Sequence, residues 1–126
     1  MSIQRIAQVF GVVFVLVGLL GLLLCGVGME ECLLLGLFPV NLLHNLAHVL
    51  LGVWGLTAAR SLPAATQYCK VAGVLYAVLT VLGFVTPDFF GLIPLGGHDR
   101  WLHLVLAAIL LYFGFGGKPQ AAAPAM

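Results

Sequence analysis

The sequence predicts an all-α protein, a four-helix transmembrane bundle made of two parallel-related helical hairpins. Three observations predict it: the composition, four apolar segments of spanning length, and a sparse repeat at an interval of 55 residues. Composition decides the solvent. Hydrophobic residues make up 63% of the 126-residue chain and charged residues 7%, with a mean hydropathy of +1.18. A soluble domain carries about 25% charged residues, and so few charges cannot cover the surface of a small one. Lipid is the environment that suits this chain. At this length a single domain is expected, over residues 1–117, with residues 118–126 (KPQAAAPAM) as a disordered tail. The net charge of +1 comes without a basic cluster, which argues against nucleic acid as a partner.

The apolar segments run over Ile6–Gly28, Asn41–Arg60, Tyr68–Val85 and Arg100–Gly116. Each is close to the ~20 residues that cross a ~30 Å hydrocarbon core as a helix. A spanning segment must satisfy its own backbone hydrogen bonds, so helices are expected. Between them stand the breakers Pro39, Ser61 with Pro63, Pro87, Pro94 and Gly96-Gly97. Arg5 ahead of the first segment resembles the start of a signal sequence. The uncharged run from Val9 to Gly28 is long enough to span, however, and no Ala-x-Ala site follows it. The first segment is therefore expected to be a retained helix.

Charge placement predicts the orientation. Arg5, Arg60, Lys70 and Lys118 fall on one side of a four-pass chain, and Glu30, Glu31, Asp88, Asp99 and Arg100 on the other. The positive-inside rule then puts both termini in the cytoplasm and the loops containing Pro39 and Pro94 outside. Arg100 and Trp101 are expected to anchor the fourth helix at the outer interface. The apolar loop stretches Leu33 to Phe38 and Phe89 to Ile93 are expected in the headgroup region, over the bundle mouth, or against another membrane subunit.

The repeat aligns Gly18 with Gly73, Gly28 with Gly83, Gly36-Leu37 with Gly91-Leu92, Pro39 with Pro94, and His48 with His103. Two hairpins related by an axis along the membrane normal would follow. Stripes of small residues predict the packing seams: Gly11, Gly18 and Cys25 with Gly21 and Gly28; His48, Gly52, Gly55 and Ala59; His103, Ala107 and Gly114. Small residues let membrane helices approach closely where apolar burial gives no preference. Cys25 and Cys69 are expected as small buried hydrophobes, Cys32 as a free loop thiol, and Tyr76 and Trp54 as packing residues.

Polar side chains inside apolar helices are the informative positions, because each needs a partner. His44, Asn45 and His48 share one patch of the second helix, and Asp99 precedes His103 by one turn in the fourth. With His98 just outside that helix, all four histidines fall toward the outward end. The first reading is an interhelical hydrogen-bond network of His44, Asn45, His48, Asp99 and His103, with Asp99 capping its helix. The second is a transition-metal site, since two His at i, i+4 can point at one ion and His103 can add a third ligand, with Asp99 as ligand or orienting acceptor. The third is a b-type haem between His48 and His103, with Gly52, Gly55 and Ala107 leaving room for the ring. No nucleophile–base pair is visible, so no hydrolase is predicted. A proton or solute pathway finds no intramembrane acid away from the helix ends.

The stretches LLLGLFPVNLLHNLAHVLLGVWGLTAAR, VAGVLY after Tyr68, and IPLGGHDRWLHLVLA resemble the bacterial membrane proteins grouped as domain of unknown function 4383, over about Val12 to Phe115. The motif residues are His44, Asn45, His48, Asp99 and His103. Arg100 stands where the family pattern has Asn, and His98 lies outside the pattern. The resemblance implies a multi-pass protein of the bacterial inner (plasma) membrane and brings no activity, substrate or cofactor. The function expected is therefore a small structural or accessory membrane component, with lipid and a membrane-protein partner or a second copy as its contacts. No cofactor is expected on that reading; the alternatives are a transition-metal ion or haem b at the histidine cluster.

Overall fold

The computed structural model describes residues 2–116, and the expected tail at 118–126 lies outside them. The chain is mostly helical, in the order α1 (Ile3–Cys25), β1 (Cys32–Leu34), β2 (Phe38–Val40), α2 (Leu42–Ala58), α3 (Leu62–Val85) and α4 (Asp99–Phe115). Two helices, α1 and α3, are long and apolar enough to cross a membrane, and α2 is apolar but shorter.

Helix starts follow their caps. Ser2 accepts the Arg5 amide at 3.1 Å, Asn41 accepts the His44 amide at 3.0 Å, and Ser61 accepts the Ala64 amide at 3.2 Å. Each side-chain oxygen satisfies one of the amides a helix start leaves free. Ser61, with Pro63 in the first turn, starts α3 at Leu62 rather than at the expected Tyr68. Proline is tolerated there because the first-turn amides have no intrahelical partner. Helix α1 stops at Cys25, short of the expected Gly28, because Gly26 turns to φ 75°.

The helices pack as two antiparallel hairpins, α1 with α2 and α3 with α4, and α1 and α3 also touch. Glycines form the seam between α1 and α2. A Cβ on Gly11 would stand 2.8 Å from the Gly52 carbonyl, and one on Gly52 would stand 2.7 Å from the Gly11 carbonyl. Gly55 lies against the Ala7 carbonyl and the Tyr68 ring, and Gly114 against the backbone of Cys69 and Lys70. The expected seam extends through Gly21 but not to Gly28, whose nearest neighbour is the Glu30 amide of its own loop. Ile3, Ala7, Phe10, Phe14, Tyr68, Ala72, Tyr76 and Leu110 belong to one buried cluster in the middle of the bundle.

The two loops share one turn, although Phe89 also has a positive φ, of 47°, where Leu34 does not. Leu35 and Gly36 have φ of 55° and 73°, and Phe90 and Gly91, each 55 positions later, have φ of 58° and 83°. Gly36 donates to the Leu33 carbonyl and Leu37 to Leu34, while Gly91 donates to Asp88 and Leu92 to Phe89, all four at 3.1 Å. These donors and acceptors are also offset by 55 residues. A bulky residue at positive φ is uncommon, so its recurrence at Leu35 and Phe90 supports duplication better than matching glycines do. The first loop is a small antiparallel hairpin with Cys32 opposite Val40 and Leu34 opposite Phe38. Leu34, Val40 and Leu95 are buried under the loops, which close over one end of the bundle.

The cysteine expectation is corrected for two residues. Cys25 and Cys32 are joined by a disulfide across a Cα separation of 5.9 Å, so Cys25 is not a packing residue and Cys32 is not a free thiol. The reason is geometric: α1 ends at Cys25, and the following turn brings β1 back beside the helix terminus. Cys69 is buried and free, as expected.

Candidate functional site

Beneath the two loops the bundle carries a buried polar centre. From α2 come His44, Asn45 and His48, from α4 come Asp99 and His103, and α3 adds Tyr76. The side-chain spacing on α2 explains its share, because positions three and four apart lie on one helix face. His44 is 4% exposed, Asn45 0%, His48 7%, Asp99 2% and His103 1%. All five residues of the sequence motif are thus brought together. His98 is not among them. It is exposed and lies edge-on to Phe38 at 6.3 Å between ring centroids.

The His44 ring centroid is 4.6 Å from that of His48 and 6.0 Å from that of His103. One ligand atom from each of the three imidazoles lies within 4.8 Å of the others. The Asp99 Oδ2 atom stands 3.8 Å from His44 Nδ1, too long for a hydrogen bond. Aromatic rings wall the centre. Phe14 stacks flat against His48 at 5.8 Å, and Tyr76 sits 5.1 Å from His103 and 5.5 Å from Phe14. Asn45 lies directly over Gly21, whose Cα has no side chain to obstruct the amide.

The expected hydrogen-bond network does not form by direct bonds. Among the described residues, seven buried side-chain atoms have no partner: Nδ1 of His44, His48 and His103, both amide atoms of Asn45, Asp99 Oδ2 and the Tyr76 hydroxyl. All seven belong to this one centre. An unsatisfied buried polar group costs about 1–3 kcal/mol, and native proteins hold few of them. Asp99 does not cap α4 either; it is the first helical residue, and His98 occupies the cap position without a side-chain bond.

Two residues were missed from the sequence. Tyr76 looks like a packing residue in the sequence, and only its place on the buried face of α3 with Ala72, Thr80 and Gly83 ties it to the interior. Asn41 marks only a segment boundary in the sequence. Its side chain caps α2 and donates to the Leu92 carbonyl at 2.8 Å and the Met29 carbonyl at 3.3 Å, tying both loops to the helix that carries three of the site residues. An Asn just before an apolar run is a cap signal, so this one was available. The glycines expected to leave room for a haem do not: Gly52 faces Gly11 and Val15, and Gly55 faces Ala7 and Tyr68.

A family model described as Domain of unknown function (DUF4383) matches residues 4–116. No curated protein and no solved structure matches the chain.

Proposed function

This chain belongs to the family described as Domain of unknown function (DUF4383), and we propose that it is a four-span membrane protein built around a polar centre in the outward half of its bundle. The observation that carries this reading is a shell of exposed apolar side chains around an interior that holds polar groups beside its apolar core. Buried positions include Gln4, Asn41, His44, Asn45, His48, Thr80, Asp99 and His103, while Leu23, Leu50, Val85 and Tyr112 are 80%, 70%, 74% and 70% exposed. Apolar side chains turned outward on all four helices suit lipid, where association depends on close packing and interior polar groups.

Lengths are compatible with this. Helices α1 and α3, with 23 and 24 residues, cover about 35 Å at 1.5 Å per residue. The 17 residues of α2 and α4 cover about 25 Å, the lower end of the spanning range. The disulfide supports the orientation derived from charge. Cys25 and Cys32 lie at the loop end of the bundle, and disulfides persist in oxidising compartments, not in the cytosol. For a bacterial chain the membrane is then the plasma membrane, with the loops on its outer face. The role proposed is that of an accessory membrane component that acts by binding, its apolar collar contacting lipid, a partner subunit or a second copy.

Alkaline extraction and thiol labelling test this placement. The protein is expected to stay with the membrane fraction at high pH and to need detergent for release. In intact cells, an impermeant reductant followed by an impermeant maleimide should label Cys25 and Cys32 but not Cys69. Label that reaches the loop cysteines only after lysis would overturn the orientation, and release without detergent would overturn the membrane reading.

A further inference from the structure

We propose that the polar centre is a transition-metal site, with His44, His48 and His103 as ligands and Asp99 as the charge partner beside them. Three imidazoles from two helices converge with ligand atoms within 4.8 Å of one another. Each is more than nine-tenths buried, and none has a hydrogen-bond partner at Nδ1. Four-coordinate zinc with Zn–N bonds of 2.0–2.1 Å places its nitrogens about 3.3 Å apart. Small ring rotations therefore close the site around an ion. An all-nitrogen set suits zinc, copper, nickel or iron, whereas magnesium and calcium take oxygen ligands.

Charge selects the role of Asp99. Three neutral imidazoles leave the full charge of the ion uncompensated in a low-dielectric interior, where an unpaired charge is costly. Asp99 Oδ2, unbonded, lies 3.8 Å from His44 Nδ1, so with Nε2 of His44 on the ion the carboxylate can tighten onto the Nδ1–H of that ring. Carboxylates in this relation orient a ligand histidine and raise its basicity. Haem is the poorer fit, because the helix glycines that might have admitted a macrocycle are covered by neighbouring backbone and by Tyr68.

This inference rests on the polar centre as a binding site and is independent of the direction in which the bundle crosses the membrane. The full chain is purified in detergent, stripped with chelator, and titrated with Zn²⁺ against a chromophoric competitor and with Co²⁺ for visible ligand-field bands. One equivalent per chain is expected, with Co²⁺ bands in the range of nitrogen coordination. The His48→Ala/His103→Ala protein should bind at least about 100-fold more weakly, and Asp99→Asn about 10-fold more weakly at unchanged stoichiometry. His98→Ala should bind like the wild type. Wild-type protein that takes up no stoichiometric Zn²⁺ and gives no Co²⁺ bands overturns the proposal, as does a double variant that binds as tightly as the wild type. If the alanine variant is not monodisperse, His48→Gln/His103→Gln replaces it and the wild-type Co²⁺ spectrum decides. Labelling and extraction that succeed while this titration fails would leave a membrane bundle whose centre holds no metal.

Discussion

His44 and Asp99 are 55 positions apart in the chain, and their side chains face each other at 3.8 Å. The repeat interval is also 55, as is the spacing of His48 and His103. The polar centre thus stands where the two helical hairpins face one another. In the 55-residue register the hairpins differ there. His48 and His103 keep the same residue, while one half supplies His44, Asn45 and Gly21 where the other supplies Asp99, Arg100 and Tyr76. That asymmetry gives the centre a carboxylate and a phenol beside its imidazoles.

The duplicated turns should respond alike to the same change. Gly36 and Gly91 have positive φ, and a Cβ on either would meet nothing within 4 Å. Gly36→Ala and Gly91→Ala should therefore each cost only the left-handed backbone penalty, about 1–2 kcal/mol. Denaturant titration of the two proteins in detergent checks this, and clearly unequal losses would count against equivalent turns.

Asn41 acts in two ways that can be separated. Asn41→Ala removes the cap on α2, worth about 1 kcal/mol, and the bond to the Leu92 carbonyl, worth about 1 kcal/mol more. Asn41→Ser keeps an uncharged acceptor for the His44 amide and loses only the donors to Leu92 and Met29. Its loss, from unfolding curves of both variants, should be about half that of alanine.

Tyr76→Phe should stabilise the metal-free protein. The hydroxyl is buried without a partner, and removing an unsatisfied group recovers about 1 kcal/mol of desolvation cost. A raised thermal midpoint is the expected outcome. A lowered one would mean that the hydroxyl has a partner in solution.

The disulfide closes a loop between residues separated by 7 in sequence, and a loop of that size contributes about 2–3 kcal/mol in the chain-entropy description. Reduction of the wild type should lower the thermal midpoint, and Cys25→Ser/Cys32→Ser should match the reduced protein. That variant should ignore reductant. A midpoint in the wild type that reductant leaves unchanged would show that the bridge contributes nothing.

What was legible in the sequence was what periodicity carries. The four segments, the Gly11, Gly18 and Gly52 seam, the repeat, and the convergence of His44, Asn45, His48, Asp99 and His103 all follow from spacing. The disulfide was not legible, because three cysteines name no pairing and the apolar run hid the end of α1 at Cys25. The state of the polar centre was not legible either. Spacing brings side chains together but does not say whether they bond to one another, and here they do not. Tyr76 carried no signal at its own position, since the repeat places Gly21 opposite it. The start of α3 was available in Ser61 and Pro63 and was outweighed by the polar residues up to Gln67.

Phe14 lies flat against His48, and Phe10 follows it along α1 at 5.6 Å between ring centroids. These rings, with Tyr68, pack the bundle on the side of the polar centre away from the loops. A solute moving along the bundle axis from that side would have to part them, an arrangement unlike that of a conduit.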